Sequence, residues 1–265
     1  MVLVKNVRVV LASFMITFFL MVLPSLAKID PESIMGLWLF DEGNGGTAAD
    51  ASGNGNDGEV HGAKWVDGKF GKALEFNGTD NWVEVAHSNS VGFKAGVSFT
   101  ITCHFKGTKV AGALVGKNYE DTSQVVPWYL LWNGGGNNKV TLYLRDSAST
   151  SFRTDSTSEI GDDKWHFVAG RADADTGKSS IWIDGKMETE ADFNEKDGYG
   201  TSEGVFHIGR HFDRYTEGII DDVAIFNVAL DEDDMDTLMT DGAETAAAVD
   251  PVNKLATAWA KIKQQ

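Results

Sequence analysis

The sequence predicts an all-β protein in which antiparallel strands form a sandwich or a barrel. Short runs that alternate apolar and polar residues recur along most of the chain, as strands with one buried face do. Clusters of Gly, Asn, Asp and Ser separate these runs, and the chain holds 29 glycines, which suit turns and bulges. Almost no helical periodicity lies between the runs, which favours antiparallel sheets throughout.

The predicted strands follow one another without a long interruption. No internal repeat and no linker divides residues 36–230, so this stretch is predicted to form one domain. The strands are expected at residues 36–41, 73–76, 82–86, 97–105, 112–117, 128–132, 139–145, 164–172, 179–185, 205–210 and 218–228.

Two short helical segments are predicted after the last strand. In residues 229–242, Asp231 can cap a helix, the acidic first turn suits the helix dipole, and Gly242 can end the helix. Residues 250–265 carry Val, Leu, Trp and Ile at steps of three and four, which is typical of a helix that packs on the sandwich. A disordered tail is the alternative for this second segment, because so short a helix is marginal alone.

Residues 1–27 are predicted to be a signal peptide. Lys5 and Arg8 precede a long uncharged apolar run that ends in Ser-Leu-Ala, a pattern typical of a cleaved targeting segment. An uncleaved membrane anchor is the alternative, because the apolar run is close to spanning length. Cleavage would leave a domain at 28–240 and a C-terminal tail at 241–265.

The charge balance argues against two classes of partner. The chain has 23 Lys and Arg against 39 Asp and Glu, a formal net charge of −16, and removal of Lys5 and Arg8 with the signal peptide takes it to −18. Nucleic acid and anionic lipid need a basic face, so neither is an expected partner. The single cysteine, Cys103, excludes an intramolecular disulfide and is expected to be a buried apolar residue.

Several motifs recur in the order that one family shows. They are "GLWLFDEGNGGTAADASGNGNDGEVHGAKWVDGKFGKALEFNGTDNWVEV" at 36–85, "FTITCHFKG" at 99–107, "DDKWHFVAGRAD" at 162–173, "IWIDGK" at 181–186, "FHIGR" at 206–210 and "GIIDDVAIFNVALDEDDM" at 218–235. Over residues 36–240 the chain resembles bacterial laminin-G-like domains of the concanavalin A-like jelly-roll class. The resemblance implies a two-sheet antiparallel jelly-roll sandwich, with a calcium ion near the junction of the first and last strands. At His104 the sequence departs from the family pattern, which usually has a tryptophan there.

The loop "DASGNGNDG" at 50–58 has the residue types of a calcium-binding loop. Asp50, Ser52 and Asn54 stand at the first, third and fifth positions of an EF-hand-like series, and calcium binds six to eight oxygens. His61 takes the place of the acidic residue expected at the twelfth position, so further oxygens must come from elsewhere in the chain. A series of tight turns is the alternative, since Asn-Gly is a strong turn signal.

Asp221 is the predicted distant ligand of this calcium ion. Asp221 and Asp222 interrupt an apolar strand, where carboxylates are costly unless they are paired, solvated or bound to metal. Neighbouring strand residues face opposite sides of a sheet, so at most one of them can face the loop, and the family resemblance favours Asp221. The alternative has both aspartates facing water on an edge strand. The predicted calcium ligands are Asp50, Ser52, Asn54, Asn56 and Asp221.

One acidic motif, "EADFNE" at 190–195, matches a Glu-x-Asp-x-x-Glu pattern of retaining glycanases that also have jelly-roll folds. In retaining enzymes two carboxylates about 5 Å apart act as nucleophile and acid/base. Here the motif follows a turn-forming Asp-Gly and precedes a loop-like stretch. Glu190, Asp192 and Glu195 are therefore predicted to lie in a solvated loop and not to be catalytic.

Aromatic and cationic residues on predicted strands are candidates for ligand binding. Aromatic rings on an exposed sheet face can stack on sugars, and polar neighbours can orient the sugar hydroxyl groups. Packing in the core is the alternative for any one tryptophan. The candidate ligand-binding residues are Trp132, Tyr143, Arg145 and Trp182.

Together these features predict a secreted or extracytoplasmic, non-enzymatic binding module that is stabilised by a calcium ion. Its partner would be an extracellular glycan or a surface protein, with no nucleic acid and no membrane once the signal peptide is removed. Two other functions stay open: a glycan-cleaving hydrolase or lyase, and an adhesive or structural surface protein without a small ligand. The sequence does not name a sugar, because loops set specificity on a shared fold.

Overall fold

The computed structural model describes residues 29–94, 96–108, 112–117, 128–132, 138–145, 150–193 and 204–246. The predicted signal peptide at 1–27 and the predicted second helix at 250–265 lie outside the described residues.

The described residues form eighteen strands and one α-helix. The strands are β1 (Ile34–Trp38), β2 (Thr47–Ala48), β3 (Gly58–His61), β4 (Lys64–Asp67), β5 (Lys72–Asn77), β6 (Trp82–Val85), β7 (Phe99–Lys106), β8 (Ala113–Lys117), β9 (Trp128–Trp132), β10 (Thr141–Arg145), β11 (Ser151–Asp155), β12 (Trp165–Asp173), β13 (Lys178–Ile183), β14 (Lys186–Asp192), β15 (Phe206–Ile208), β16 (Arg210–His211), β17 (Arg214–Tyr215) and β18 (Glu217–Phe226). The helix is α1 (Glu232–Ala246), and two 3-10 turns lie at Pro31–Ser33 and Asn89–Val91.

Two large antiparallel sheets contain most of these strands. Sheet A has the order β14-β13-β12-β7-β18-β5-β4, and β1 also pairs with β18. Sheet B has the order β11-β10-β9-β8-β15-β6-β3-β2. Strands β16 and β17 form a separate hairpin. The predicted all-β, two-sheet antiparallel sandwich is confirmed, and the barrel alternative is wrong.

The main core lies between the two sheets, because alternate side chains of each strand point inward. Sheet A contributes Leu74, Ile101, Cys103, Phe105 and Ile181, and sheet B contributes Val83, Val85, Tyr129, Leu131 and Leu142. All of these side chains are buried, and the expected burial of Cys103 is confirmed.

A second apolar cluster lies on the opposite side of sheet A. Helix α1 covers this side, so side chains that point away from the main core are buried as well. The cluster includes Leu37 of β1, Phe167 and Ala169 of β12, Trp182 of β13, Ala224 and Phe226 of β18, and Met235, Leu238 and Ala243 of α1.

Strand β18 lies inside sheet A and changes one of its neighbours along its length. Its first half lies between β7 and β5, and its second half lies between β7 and β1. The change occurs at Asp221 and Asp222, where the register with β7 shifts and Asp222 has a positive φ of 47°. A strand at this position cannot be the edge strand of the alternative in which both aspartates face water.

Helix α1 begins after Asp231, as predicted, but it continues past Gly242, where the sequence predicts its end. The Asp231 carboxylate accepts a hydrogen bond from the Asp234 amide at 2.9 Å, which caps the first turn. Gly242 has φ 80° and ψ 163°, so the helical geometry is interrupted there, although helical residues continue to Ala246. Among the described residues, none of the helical segments is long and apolar enough to cross a membrane.

The short strands at the sheet margins were not predicted. Strands β4 and β14 are largely polar and half-buried or exposed, because they lie at sheet edges where one or both faces meet water, and β2 has only two residues. Such strands lack the alternating apolar pattern from which the inner strands were predicted.

His104 occupies the position where the family pattern usually has a tryptophan, and it lies in the layer between sheet A and α1. It is 2% exposed and packs against the rings of Phe70 and Phe167, each with a centroid distance of 5.2 Å. Both ring nitrogens are buried without a hydrogen-bond partner among the described residues. Burial lowers the pKa of His104 to about 4, so the neutral ring is favoured.

Replacement of His104 should change how stability depends on pH. Between the ordinary histidine pKa of about 6.5 and the folded value near 4, the unfolded chain binds a proton that the folded chain does not, so stability falls as pH falls through this window. We expect His104→Phe to raise the free energy of unfolding at pH 5 by about 1–3 kcal/mol relative to the parent chain, and by less at pH 8. Urea denaturation at both pH values measures this, and equal gains at pH 5 and pH 8 would contradict it.

Candidate functional site

The outer face of sheet B, the side that points away from the main core, carries the candidate site. Strand alternation sends Tyr129 and Leu131 of β9 into the core and leaves Trp132 on the outer face. In β6, Val83 is in the core and Trp82 is outside by the same rule.

A hairpin that we call the arginine hairpin, residues 210–215, lies against this outer face. Its base is fixed because the Gly209 amide donates to Leu114 O at 2.9 Å, and the buried Thr216 hydroxyl donates to Ala113 O at 2.8 Å. The Thr216 amide also donates to Gly209 O at 2.8 Å, which closes the hairpin. These bonds tie the arginine hairpin to β8, in the middle of sheet B.

One end of the outer face has an arginine stacked on a tryptophan. The Arg210 guanidinium lies 4.8 Å from the centroid of the Trp82 ring and 5.8 Å from that of Tyr215. His61 of β3 stacks on the same Trp82 at 4.3 Å, with an interplanar angle of 14°. The Arg210 Nε donates to Phe212 O at 2.9 Å, which fixes the orientation of the guanidinium plane.

A second stacked pair lies across the sheet, over β9. The Arg214 guanidinium lies 4.9 Å from the centroid of Trp132. His211 and Tyr143 flank the same tryptophan at 5.8 and 6.5 Å. Arg214 is exposed and Trp132 is half-buried, so this pair faces solvent.

Two buried histidines, His207 of β15 and His211 of the arginine hairpin, have pKa values below the ordinary range, which favours their neutral forms. Burial, with the nearby Arg210 charge, lowers the pKa of His207 to about 4. Burial, with the nearby Arg214 charge, lowers the pKa of His211 to about 4. The positive charge of this region therefore comes from its arginines.

The loop at 50–58 is organised by the Asp50 carboxylate. Its Oδ1 accepts hydrogen bonds from the amides of Leu37 at 3.0 Å and Ser52 at 2.9 Å, and its Oδ2 accepts from the Asn56 amide at 2.9 Å. The Asp50 amide in turn donates to the Asp57 carboxylate at 2.8 Å. The loop is thereby fastened to β1.

The asparagines of this loop also bind the backbone near β1. Asn54 Nδ2 donates to Ile34 O at 2.9 Å, and Asn56 Nδ2 donates to Met35 O at 2.9 Å. The Asn56 Oδ1 accepts from the hydroxyls of Ser88 and Ser90. The polar atoms of the loop thus satisfy one another and the surrounding backbone.

Asp221 does not lie with the loop at 50–58. Its Oδ2 accepts hydrogen bonds from the amides of Lys69 at 2.7 Å and Phe70 at 3.0 Å, and its Oδ1 accepts from the Asp222 amide at 2.8 Å. Burial raises the pKa of Asp221 to about 7, against the opposing effect of these amide donors. The Asp222 carboxylate accepts from the Ala243 amide of α1 at 2.8 Å.

The sequence of this chain matches a known family model. The model of the concanavalin A-like lectin/glucanases superfamily matches residues 77–235. The chain belongs to this superfamily. No curated protein matches the sequence.

Solved structures share the superfamily fold at low sequence identity. Domain 4 of AbnA, a GH43 extracellular arabinanase from Geobacillus stearothermophilus solved with arabinotriose, is 20% identical, with 78% of this chain and 98% of that chain covered and a TM-score of 0.62. The binding domain of Paraclostridial Mosquitocidal Protein 1 is 17% identical, with 80% and 52% covered and a TM-score of 0.63. The binding domain of Botulinum Neurotoxin DC in complex with SialylT is 15% identical, with 80% and 52% covered and a TM-score of 0.60. This chain thus spans about half the length of the two toxin domains.

Three of the four predicted ligand-binding residues share the outer face of sheet B in this superfamily member. Trp132, Tyr143 and Arg145 lie there, and Trp132 contacts Tyr143. Trp182 lies elsewhere: it is 5% exposed in the second cluster beneath α1, and its Nε1 donates to Ser180 Oγ at 3.0 Å. The physical reason is that α1 covers the outer face of sheet A.

Several residues of the site were not predicted. They are His61, Trp82, Arg210, Arg214 and Tyr215. Alternation in "WVEV" could have placed Trp82 on the face opposite Val83 and Val85. The contact of the arginine hairpin with sheet B had no local signal, because it joins residues distant in sequence.

The acidic motif at 190–195 is partly a strand. Glu190 and Asp192 lie in β14, paired with Ser180 and Lys178 of β13, so the predicted loop is wrong for these residues. Both side chains are exposed at the edge of sheet A, and Asp192 Oδ1 lies 2.5 Å from Lys178 Nζ. Glu195 lies outside the described residues.

Of the predicted calcium ligands, Asp50, Ser52, Asn54 and Asn56 share one loop, and Asp221 is bound to a different turn. No cluster of three or more His, Cys, Asp or Glu side chains suited to a metal occurs within the described ranges. The five predicted ligands do not share one centre, because the Asp221 carboxylate binds the amides of Lys69 and Phe70 instead. Calcium binding by the loop stays a prediction, without Asp221.

Both carboxylates should stabilise the fold irrespective of metal. Each accepts three backbone hydrogen bonds, and removal of the acceptor leaves these amides unsatisfied. We expect Asp50→Ala and Asp221→Ala each to lower the free energy of unfolding by about 2–4 kcal/mol in chelator, as measured by urea denaturation. The exposed Glu159→Ala is the matched control and should change it by less than about 0.5 kcal/mol.

Added calcium should affect the Asp50 and Asp221 variants differently. If the loop binds calcium, excess calcium should raise the melting midpoint of the parent chain by several degrees, since about 2.7 kcal/mol is gained at a hundredfold excess over Kd. The increase should vanish in Asp50→Ala and persist in Asp221→Ala. Thermal melts with calcium, magnesium and chelator measure this, and an unchanged parent midpoint means that the loop binds no calcium.

Proposed function

We propose that this protein is a secreted binding module that holds an extracellular glycan on the outer face of sheet B without cleaving it. The observation that carries the proposal is the half-exposed aromatic and arginine cluster on that face, centred on Trp82 and Trp132. The opposite outer face, on sheet A, is largely closed by α1 and is less suited to a ligand.

The chemistry of the cluster suits a sugar. Aromatic side chains provide apolar area that can pack against the C–H faces of a sugar, and polar donors nearby can fix its orientation. Tyr143 and Trp132 supply such area side by side, and Arg145 and Arg214 supply donors at its margin.

The comparisons support the same class of ligand. Domain 4 of AbnA was solved with arabinotriose, and the Botulinum Neurotoxin DC binding domain was solved with SialylT. Both share the fold of this chain at low identity, so they support a glycan as ligand and do not name it.

Export to the exterior is part of the proposal and is supported by residues 1–27, which have the charge and apolar pattern of a signal peptide. A non-enzymatic role is supported by the position of Glu190 and Asp192. These carboxylates are exposed at a sheet edge, and Asp192 is paired with Lys178.

Binding should depend on the aromatic residues of the outer face. A glycan array with the purified chain identifies a ligand, and calorimetry then measures its affinity. We expect Trp132→Ala and Tyr143→Ala to weaken binding by about fivefold to tenfold, because each removes ring contact with the sugar. The half-buried Trp165→Ala on sheet A is the control and should bind like the parent chain. Equal affinity in all three variants would refute the location of the site.

Bound glycan should remain intact. We expect no new reducing ends from β-glucans, galactans or uronic polymers after prolonged incubation, because the described acids of the motif, Glu190 and Asp192, are exposed at a sheet edge. Reducing-end assays of the parent chain, Glu190→Gln and Glu195→Gln test this. Cleavage by the parent chain that is lost in both variants would establish an enzyme instead.

A further inference from the structure

Arginines lie over two tryptophan rings on the outer face of sheet B. Arg210 lies over Trp82, which also stacks on His61, and Arg214 lies over Trp132. A sugar that approaches this face therefore meets guanidinium groups as well as aromatic rings. A guanidinium presents N–H donors in a planar fork that matches a carboxylate or a similar oxyanion.

We propose that the ligand of this face is an acidic glycan, one that carries carboxylate or sulfate groups, and that Arg210 and Arg214 bind those groups. This inference rests on the proposed glycan-binding function and adds the chemical class of the sugar.

The charge on this face differs from that of the whole chain. The outer face of sheet B carries four positive residues, Arg145, Arg153, Arg210 and Arg214, and four negative residues, Glu59, Glu84, Asp155 and Asp213. These formal charges cancel, whereas the whole chain has a net charge of −16. At physiological salt, charges more than about 8 Å away are largely screened, so an anion in contact with the arginines interacts mainly with its neighbours.

Glu84 and Asp213 are acidic residues on the same face as the stacked pairs. The Glu84 carboxylate lies 3.5 Å from His207 Nε2. Asp213 lies at the exposed tip of the arginine hairpin, next to Arg214 in sequence. An anionic ligand therefore has to compete with these two carboxylates for Arg210 and Arg214.

Hydrogen-bond donors on this face lack acceptors. The Trp82 Nε1 and the Arg145 Nε are both buried and have no hydrogen-bond partner among the described residues. Their burial closes these two atoms to a ligand on the surface, so the donors that a ligand can reach are those of the exposed Arg214. An ionised carboxylate accepts hydrogen bonds and donates none, which matches a guanidinium.

The spacing of the two stacked pairs sets the size of the ligand. Trp82 is on β6 and Trp132 is on β9, three strands away in sheet B. Adjacent strands lie about 4.8 Å apart, so the two pairs are about 14 Å apart. A single sugar ring does not reach both, whereas an oligosaccharide that runs across the strands does.

Pairs of polymers that differ only in their acidic groups distinguish the effect of charge on binding from the effect of sugar identity. Calorimetry compares polygalacturonate with its methyl ester, which blocks the carboxylates, and chondroitin sulfate with desulfated chondroitin, which removes the sulfates. Neutral arabinan and free galacturonic acid complete the set. We expect at least one acidic polymer to bind about tenfold more tightly than its blocked or desulfated form, and more tightly than the monosaccharide. The pair that shows the difference tells whether carboxylate or sulfate is bound.

Variants test the two arginines directly. We expect Arg210→Gln and Arg214→Gln each to weaken binding of the acidic polymer by about tenfold. Arg214→Lys keeps the positive charge but lacks the paired N–H donors of the planar guanidinium. Its affinity should therefore lie between those of the parent chain and Arg214→Gln. Lys186→Gln removes an exposed cation on sheet A and is the matched control with unchanged affinity. Melting midpoints show whether each variant is folded. If Arg210→Gln does not fold, the variants of the exposed Arg214 carry the test.

The outcomes separate this inference from the proposed function. If neutral arabinan binds as tightly as the acidic polymers and the arginine variants bind normally, glycan binding stands and the acidic ligand is refuted. If none of these glycans and no glycan on an array binds, the proposed function fails and this inference fails with it. Loss of affinity in Lys186→Gln equal to that in Arg214→Gln would refute the role of the stacked pairs.

Discussion

Sheet A depends on the buried carboxylates of Asp221 and Asp222, which accept backbone hydrogen bonds where β18 changes one of its neighbours. At this point β18 exchanges β5 for β1 as its neighbour, so regular ladder pairing is interrupted and backbone amides need other acceptors. Asp221 accepts the amides of Lys69 and Phe70 in the turn before β5, and Asp222 accepts the amide of Ala243 in α1. Two aspartates thus connect the central strand to the turn on one side and to the helix on the other. They need no metal for this role, because the backbone supplies their partners.

The two outer faces of the sandwich differ in what covers them. Helix α1 closes the outer face of sheet A and forms a second apolar cluster there, which includes Trp182 and packs against His104. The outer face of sheet B carries the arginine hairpin, which leaves aromatic and cationic groups half exposed. The position of the proposed ligand site therefore follows from which face helix α1 occupies.

Much of the fold could be predicted from the sequence, and the reasons for the failures are physical. Strands inside the sheets alternate apolar and polar residues because one face is buried, so β7, β10 and β12 were found. The edge strand β14 is mostly polar and was predicted to be a loop. Alternation also places Trp182 correctly on an outer face, but it does not reveal that a helix distant in sequence covers that face.

The candidate site was predicted in part for the same reasons. Trp132, Tyr143 and Arg145 lie on strands whose alternation is clear, so they share the outer face as expected. Arg210 and Arg214 lie in a hairpin whose contact with the sheet is tertiary, and the amide partners of Asp221 are backbone groups that no side-chain pattern marks.

The late position of β18 has a consequence for how the polypeptide reaches its native state. Strand β18 pairs with β1, β5 and β7, all of which precede it in sequence, so these three strands are synthesised before their common partner. Pairings between segments so distant in sequence close large loops, which slows folding. Until β18 arrives, each of its neighbours presents an open edge of unpaired amides and carbonyls to other chains. Association of unfinished chains with one another therefore competes with folding until β18 pairs with these strands.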